Sequence, residues 1–337
     1  MVSNISEILD LLHKFKTFVI TTHVNPDGDA IGSEIALYEY LNKLGKTATI
    51  LNHNITPDNY LWMDFENKII QFNPDEHKNL IQKVEVICIV DTNQPSRLRS
   101  LENYILESPA IKIVIDHHLD PHPFGDYYLI DDDATSTGEI IYNLIKQSND
   151  IEINKKIASA LYTAIMTDTG SFRYPRTDPQ IHIIAAELIS SGANPTEIYS
   201  NVYEEWTPGR MRLLGEALDS IKITPNGKIA YMVCTQSMFK KTRTNEVETD
   251  NFTIYPMSIR GVIIGILFNE LENGVKISFR SKGSIPINQL ANEFGGNGHL
   301  NAAGARIFNA SLNDIIPRVI ERAILYSEGD IPPVIGQ

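Results

Sequence analysis

The chain has 337 residues, 42% hydrophobic and 21% charged, which is more than one hydrophobic core usually holds, so two domains are expected. A formal net charge of −13 argues against a protein that tracks long duplex nucleic acid by counterion release, but it leaves room for a small anion if local cations or metal ions offset the field. No apolar run approaches the roughly 18 residues of a membrane span, and the N-terminus lacks the basic-then-apolar order of a secretion signal; a cytoplasmic protein with no membrane partner is expected.

Residues Ser3 to Phe15 should form a helix, capped by Ser3 or Asn4, with Ile5, Ile8, Leu9 and Leu12 on one face. Thr17 to Thr22 follows as a strand that stops at His23, and a helix from about Asp29 to Leu44 has Gly45 placed for its C′ position. Strands Val84 to Val90 and Ile111 to Ile115 stop at Asp91 and Asp116, before helices Thr137 to Lys146 and Lys155 to Met166. Strands separated by helices imply an α/β fold with a parallel sheet covered on both faces. Cys88 and Cys234 lie inside apolar β-like runs and read as buried free thiols.

The texture changes at Ser190 to Pro195, where one helix closes and another opens. Residues 1–195 are expected to form the first domain, 196–222 a helical connector, and 223–337 a smaller α/β domain. Its strands are Ile229 to Thr235, Gly261 to Asn269 and Gly274 to Arg280, the last two joined through a hairpin signal at Glu270-Leu-Glu-Asn-Gly274.

Three predicted strands stop at metal-ligand residue types: His23-Val-Asn-Pro-Asp27-Gly-Asp29, then Asp91, then Asp116-His117-His118. Asp168 ends a later helix with another carboxylate. Open α/β sheets bind ligands outside the carboxyl ends of their strands, so these clusters should converge. Asp27 and Asp29 flank Gly28, which would permit a tight backbone path and let the two carboxylates address different ions. Ala30, Gly32 and Ser33 would let the helix approach the sheet. Mixed imidazole and carboxylate ligands suit Mn²⁺, Mg²⁺ less so, and not a thiolate zinc site. Any one strand-end aspartate is ordinarily a turn residue or cap, and Ser136-Thr-Gly-Glu139 reads as a capping box. The joint order of the clusters is what points to phosphoester chemistry.

That set of motifs resembles the DHH phosphoesterase superfamily. Phe279-Arg280-Ser281-Lys282 and Gly295-Gly-Asn-Gly-His299 resemble the DHH-associated C-terminal domain of its oligoribonuclease group (NrnA type), with Asn297 where a glycine is common. The resemblance implies a parallel-sheet DHH domain and a DHH-associated substrate-binding domain. It implies one ion held by His23, Asp27 and Asp91, and a second by Asp29, Asp91, His117 and Asp168. His118 would protonate the leaving oxygen or donate to a phosphate oxygen, with Asp116 orienting its neighbours.

Arg280, Ser281, the Gly295 and Gly296 amides and His299 would meet the substrate; the glycine run also reads as a C-cap after a helix ending at Phe294, and Arg260, Lys282 and Arg306 read as solvated charges. The implied substrates are short RNA or DNA oligonucleotides and 3′-phosphoadenosine 5′-phosphate, cleaved to mononucleotides with two divalent ions. Linear or cyclic signalling dinucleotides are one alternative, and an inactive nucleotide-binding module another. Manganese pyrophosphatases share the first-domain pattern, but their second domain carries a basic motif not seen here. A homodimer and closure between the halves are further implications.

Overall fold

The computed structural model describes residues 3–64 and 66–329; the side chain of His299 lies outside the described groups. The chain divides into two compact units, Met1–Glu205 and Trp206–Gln337.

The first unit holds a six-stranded sheet of β1 (Thr17–Thr21), β2 (Thr47–Asn52), β3 (Ile69–Gln71), β4 (Val86–Val90), β5 (Ile111–Asp116) and β6 (Tyr127–Ile130). All pairs are parallel, in the order β3-β2-β1-β4-β5-β6. Its helices are α1 (Ile5–Lys14), α2 (Gly28–Lys43), α3 (Pro74–Lys83), α4 (Glu102–Leu106), α5 (Thr137–Ser148), α6 (Lys155–Asp168), α7 (Pro179–Ser190) and α8 (Pro195–Tyr203).

Alternation along each strand feeds two cores. Phe18, Ile20, Val86, Cys88, Val90, Ile113 and Ile115 pack with α1, α2, α5 and α6, while Val19, Ile87, Ile89 and Val114 pack with Ile81, Leu98, Leu101 and Ile105 on the other face. With both faces covered, the strands read as continuous apolar runs. The strand order runs outward in both directions from the β1–β4 pair, which is the topological switch point where such sheets open a crevice at their carboxyl ends.

Three glycines set how closely the helices behind that crevice approach. A Cβ on Gly32 would lie 2.4 Å from the Ala160 carbonyl of α6, one on Gly28 2.5 Å from the Thr167 side chain, and one on Gly138 2.4 Å from the Ala164 Cβ. Two expectations change here. Gly32 serves close packing of α2 on α6 rather than on the sheet. Gly28 is the first residue of α2 and is absent from the glycines with positive φ, so space against Thr167 requires it, not an unusual backbone path.

The second unit adds α9 (Pro208–Asp219), β7 (Lys222–Ile223), β8 (Ile229–Cys234), α10 (Gln236–Thr242), α11 (Ile254–Met257), β9 (Ile264–Leu271), β10 (Gly274–Ser281), α12 (Ile287–Asn292), β11 (Asn297–His299), β12 (Ala302–Phe308) and α13 (Leu312–Glu328). Its sheet has the order β11-β12-β10-β9-β8-β7; β8 and β9 run parallel and the other pairs antiparallel. Ile266, Phe268, Val275, Ile277 and Phe279 pack with α12 and α13, while Met232, Cys234 and Leu267 face Leu213, Ala217 and Phe239. The β9–β10 hairpin closes on Glu272-Asn273 between paired Leu271 and Gly274. Gly274 has φ +135°, and a Cβ there would meet the Ile307 carbonyl at 2.1 Å. The stretch expected to be a helical connector is two helices, α8 and α9, interrupted before Pro208. Cys88 and Cys234 are both free and buried.

Gly32→Ala should cost about 1–3 kcal/mol through overpacking. Gly215→Ala on α9, where a Cβ meets nothing within 4 Å, should instead add about 0.5–1 kcal/mol. Urea unfolding of both variants checks the opposite signs, and equal shifts would contradict the packing.

Candidate metal centre

The carboxyl ends of β1, β4 and β5 and the end of α6 deliver the acids and imidazoles to one place. The ligand atoms of His23, Asp27 and Asp91 lie within 4.8 Å of one another, and so do those of Asp29, His117 and Asp168. Asp91 stands between the sets: its Oδ2 is 3.2 Å from His23 Nε2 and its Oδ1 3.7 Å from His117 Nε2. His117 Nε2 also lies 3.3 Å from Asp168 and 3.7 Å from Asp29. A third group joins Asp91 to Asp116, His117 and His118. All seven residues expected at the metal site or as its proton donor are therefore brought together in the first unit.

Local structure holds several of them. His23 Nδ1 donates to the Val24 carbonyl at 2.9 Å, which directs Nε2 toward Asp91. Asp27 caps α2, accepting from the Asp29 and Ala30 N–H groups. Asp91, directly after β4, takes φ +59°, a left-handed conformation that aspartate tolerates better than most residues. Its N–H donates to the Ile115 carbonyl at 3.0 Å. Asp116 Oδ1 accepts from the His117 N–H at 2.9 Å and from His118 Nδ1 at 2.7 Å. A carboxylate can only accept there, so the proton sits on His118 Nδ1.

Several contributors carry no motif. Ser136 caps α5, accepting from the Glu139 N–H at 3.1 Å, but Glu139 turns its carboxylate to Thr135 instead of the cap N–H, so the expected box is half made. The same helix start serves the site: Thr137 and Gly138 N–H groups donate to Asp29 at 2.8 and 2.9 Å, and Thr137 Oγ1 to Asp91 at 3.1 Å. Behind it, Thr22 N–H donates to Asn52 Oδ1 at 3.2 Å and Asn52 Nδ2 to Glu34 at 2.8 Å, while Thr22 Oγ1 reaches the Val90 carbonyl at 2.8 Å. That buried chain ties together the strand ends that carry His23 and Asp91. Asn93 Nδ2 bonds the His118 carbonyl at 2.8 Å. Only side-chain placement reveals these partners, because Thr, Asn and a helix start are everywhere in such folds.

The electrostatics follow from this crowding of acids. Burial, then the charge of Asp27, raises Asp29 to about 7. Burial and the charges of Asp29 and Asp27 push Asp91 well above the carboxylate range. Asp168 shifts the same way for the same reasons, although about a third of its side chain reaches solvent. Burial pushes His23 below its ordinary value against the pull of Asp27. Asp116 Oδ2 is buried without a hydrogen bond among the described residues. Buried like charges of this kind are stable when a cation sits among them. The oxygen and imidazole donors fit a divalent ion such as Mn²⁺ or Mg²⁺.

The second-unit motifs are placed more locally. Arg280 lies on β10, with Nη1 donating to the Phe279 carbonyl at 2.9 Å. Ser281 Oγ donates to the Ile285 carbonyl at 2.8 Å and accepts from Asn301 at 2.9 Å, so its proton holds a turn. The Gly295 and Gly296 amides also have internal partners, donating to Asn292 and Ala291 carbonyls at 3.0 and 2.9 Å. This is the glycine C-cap of α12, the other reading open for this run, and it engages both amides. Gly296 is further required because a Cβ would meet the Gly304 carbonyl at 2.1 Å. Asn297 lies in β11 and is not among the residues with positive φ, so no glycine is needed there. Lys282 Nζ donates to the Met257 and Val262 carbonyls at 2.8 and 2.9 Å, and Arg306 pairs with Glu246. Neither is the merely solvated charge expected. His299 is placed only by its backbone in β11.

Residues 17–165 match the model of the DHH family, N-terminal domain, and residues 226–324 that of the DHHA1 domain. The chain is 29% identical over 309 residues to the bifunctional oligoribonuclease and PAP phosphatase NrnA of Thermus thermophilus, covering 90% of this chain and 87% of that one. It is 28% identical over 306 residues to the protein of the same name from Bacillus subtilis, covering 90% and 93%. The crystal structure of an exopolyphosphatase-related protein from Bacteroides fragilis matches with a TM-score of 0.92 at 32% identity, over 97% of both chains. The chain thus belongs to the DHH family of phosphoesterases. No helix among the described residues is long and apolar enough to cross a membrane.

Because Asp91 concentrates the repulsion, Asp91→Asn should raise the thermal midpoint of chelator-treated protein and abolish the further rise that Mn²⁺ gives the wild type. Asparagine accepts the left-handed backbone, so the exchange isolates the charge. Scanning calorimetry with and without Mn²⁺ checks this; a variant still stabilised like wild type would contradict a central place for Asp91 in ion binding.

Proposed function

We propose that the chain is a two-metal phosphoesterase that hydrolyses very short oligonucleotides to mononucleotides and removes the 3′-phosphate of 3′-phosphoadenosine 5′-phosphate. The observation that carries this reading is the pair of ligand sets, His23/Asp27/Asp91 and Asp29/His117/Asp168, in a chain that aligns with NrnA-named relatives over 90% of its length. His23, Asp27 and Asp91 would hold one ion, and Asp29, His117 and Asp168 the second, with Asp91 shared. Two divalent ions supply the Lewis acidity that an attacking water and a leaving oxygen both need in an in-line phosphoryl displacement.

The remaining roles belong to the chain. Asp116 orients His118 through Nδ1, so His118 Nε2, when the ring is protonated, donates to the leaving oxygen. Thr137 and Gly138 fix the Asp29 and Asp91 carboxylates, keeping the oxygens preorganised. Arg280 is the proposed phosphate ligand of the second unit, its planar fork matching a phosphate oxygen pair. Mn²⁺ is the proposed ion.

The Bacteroides fragilis relative is described as exopolyphosphatase-related, so inorganic polyphosphate belongs beside the nucleotides in any test. With Mn²⁺, dinucleotides and oligomers of a few residues should be degraded faster than long RNA, 3′-phosphoadenosine 5′-phosphate should lose phosphate, and polyphosphate should be a poor substrate. A protein that cleaves polyphosphate but leaves dinucleotides intact would overturn the proposal. His118→Ala should lower kcat by about 10²–10⁴-fold with little change in KM, as loss of a general acid does; equal kcat in the variant would remove His118 from that role.

A further inference from the structure

Just beyond Asp168 the backbone takes an unusual course. Gly170, Ser171 and Phe172 adopt three successive left-handed conformations, with φ of +57°, +59° and +62°. L-residues keep such a backbone only where the surroundings over-determine it. Here the Ser171 N–H donates to the Met166 carbonyl at 2.8 Å, and the Phe172 N–H to Thr169 Oγ1 at 3.0 Å. The Arg173 and Tyr174 N–H groups both reach the Thr169 carbonyl, at 2.9 and 3.0 Å. The Phe172 ring packs against Tyr162 and His182 at centroid distances of 5.7 and 5.6 Å.

The outcome of this turn is the position of Tyr174. A Cβ on Gly170 would lie 2.5 Å from Tyr174 Cε1 and Cζ, so the ring rests on bare glycine backbone. Tyr174 nevertheless stays 52% exposed. Gly170 is two residues from Asp168, so their Cα atoms are at most about 7 Å apart. Arg176 follows at the same rim: its Nη1 lies 3.4 Å from the Ala134 carbonyl, in the turn that leads to the Thr137 start of α5, and its charge acts on Asp168. A lone exposed aromatic needs no explanation. An aromatic plate set by three left-handed residues beside the ligand cluster, with a cation next to it, does.

We propose that this 170–176 segment recognises the nucleotide within the catalytic unit, with Tyr174 stacking on a base and Arg176 meeting a phosphate oxygen. The inference rests on the nucleotide reading above and names its recognition residues. Base and phosphate are separated by one sugar, so a ring and a guanidinium at one rim can engage a single nucleotide. Stacking is tolerant of base identity, which suits short substrates of mixed sequence.

Titration calorimetry on the Mn²⁺-loaded full chain tests this with two probes that contain no phosphodiester, adenosine 5′-monophosphate and ribose 5-phosphate. Wild type should bind the nucleotide more tightly than the sugar phosphate. Tyr174→Ala should weaken the nucleotide by about 5- to 150-fold, the span of base–aromatic stacking, and leave ribose 5-phosphate unchanged; Tyr174→Phe should restore the wild-type value. Arg176→Ala should weaken both probes alike. Equal wild-type affinity for the two probes, or a Tyr174→Ala variant that keeps nucleotide affinity, would overturn the inference. So would loss of both probes in Tyr174→Ala. The hydrolysis panel is read separately: Tyr174-dependent nucleotide binding in a chain that cleaves no dinucleotide would sink the proposed reaction and keep the recognition site.

Discussion

Mutual repulsion among buried carboxylates is the constraint around which the first unit is organised. Asp29 and Asp91 are each at most 2% exposed, and Asp27 and Asp168 add charge to the same few ångströms. Asp29 and Asp91 therefore resist ionisation: burial and neighbouring charge drive Asp29 to about 7 and Asp91 higher than the carboxylate range. The protein supplies partial compensation from neutral donors: the Thr137 and Gly138 amides and the Thr137 and Ser33 hydroxyls. Those donors fix oxygen positions but do not cancel the charge. A divalent pair is the proposed complement.

The fold exists to hold that arrangement still. β1 and β4 are neighbours at the switch point of an all-parallel sheet, so His23 and Asp91 emerge side by side. The Thr22–Asn52–Glu34 chain ties the two ends from beneath. Glu34 is fully buried and its carboxyl is pushed well above the usual range by burial, a polar group kept in the core where it steadies the layer under the ligands. From the other side, Gly28, Gly32 and Gly138 let α2, α5 and α6 converge until the start of α5 touches Asp29.

Much of this was legible in the residues. Strand-end His23, Asp91 and Asp116-His117-His118, with Asp27, Asp29 and Asp168, were identifiable as a candidate ligand set because metal ligands must be specific residue types and parallel strands deliver such residues to one edge. The alternation of strands and helices showed the parallel sheet for the same reason. What the sequence could not carry were contacts made by commonplace residues. Thr137 looked like part of a capping box, and only its geometry shows both its amide and hydroxyl turned to the acids. β2, β3 and β6 are short or flanked by polar residues and offered weak periodicity. In the second unit the C-cap was legible in the glycine run, since the Gly295 and Gly296 amides close α12, whereas the fit of Gly296 against β12 was not. The Gly170 to Tyr174 turn was invisible, since three left-handed residues in a row leave no sequence mark beyond one glycine.

The central claim, that these acids hold two ions with Asp91 between them, is tested most directly by electron paramagnetic resonance of the Mn²⁺-loaded protein with equilibrium dialysis for stoichiometry. Two ions per chain with an exchange-coupled spectrum are predicted for the wild type, collapsing to the isolated-ion pattern or to empty protein in Asp91→Ala. One ion per chain with an uncoupled spectrum in the wild type, or a coupled pair that survives Asp91→Ala, would contradict it.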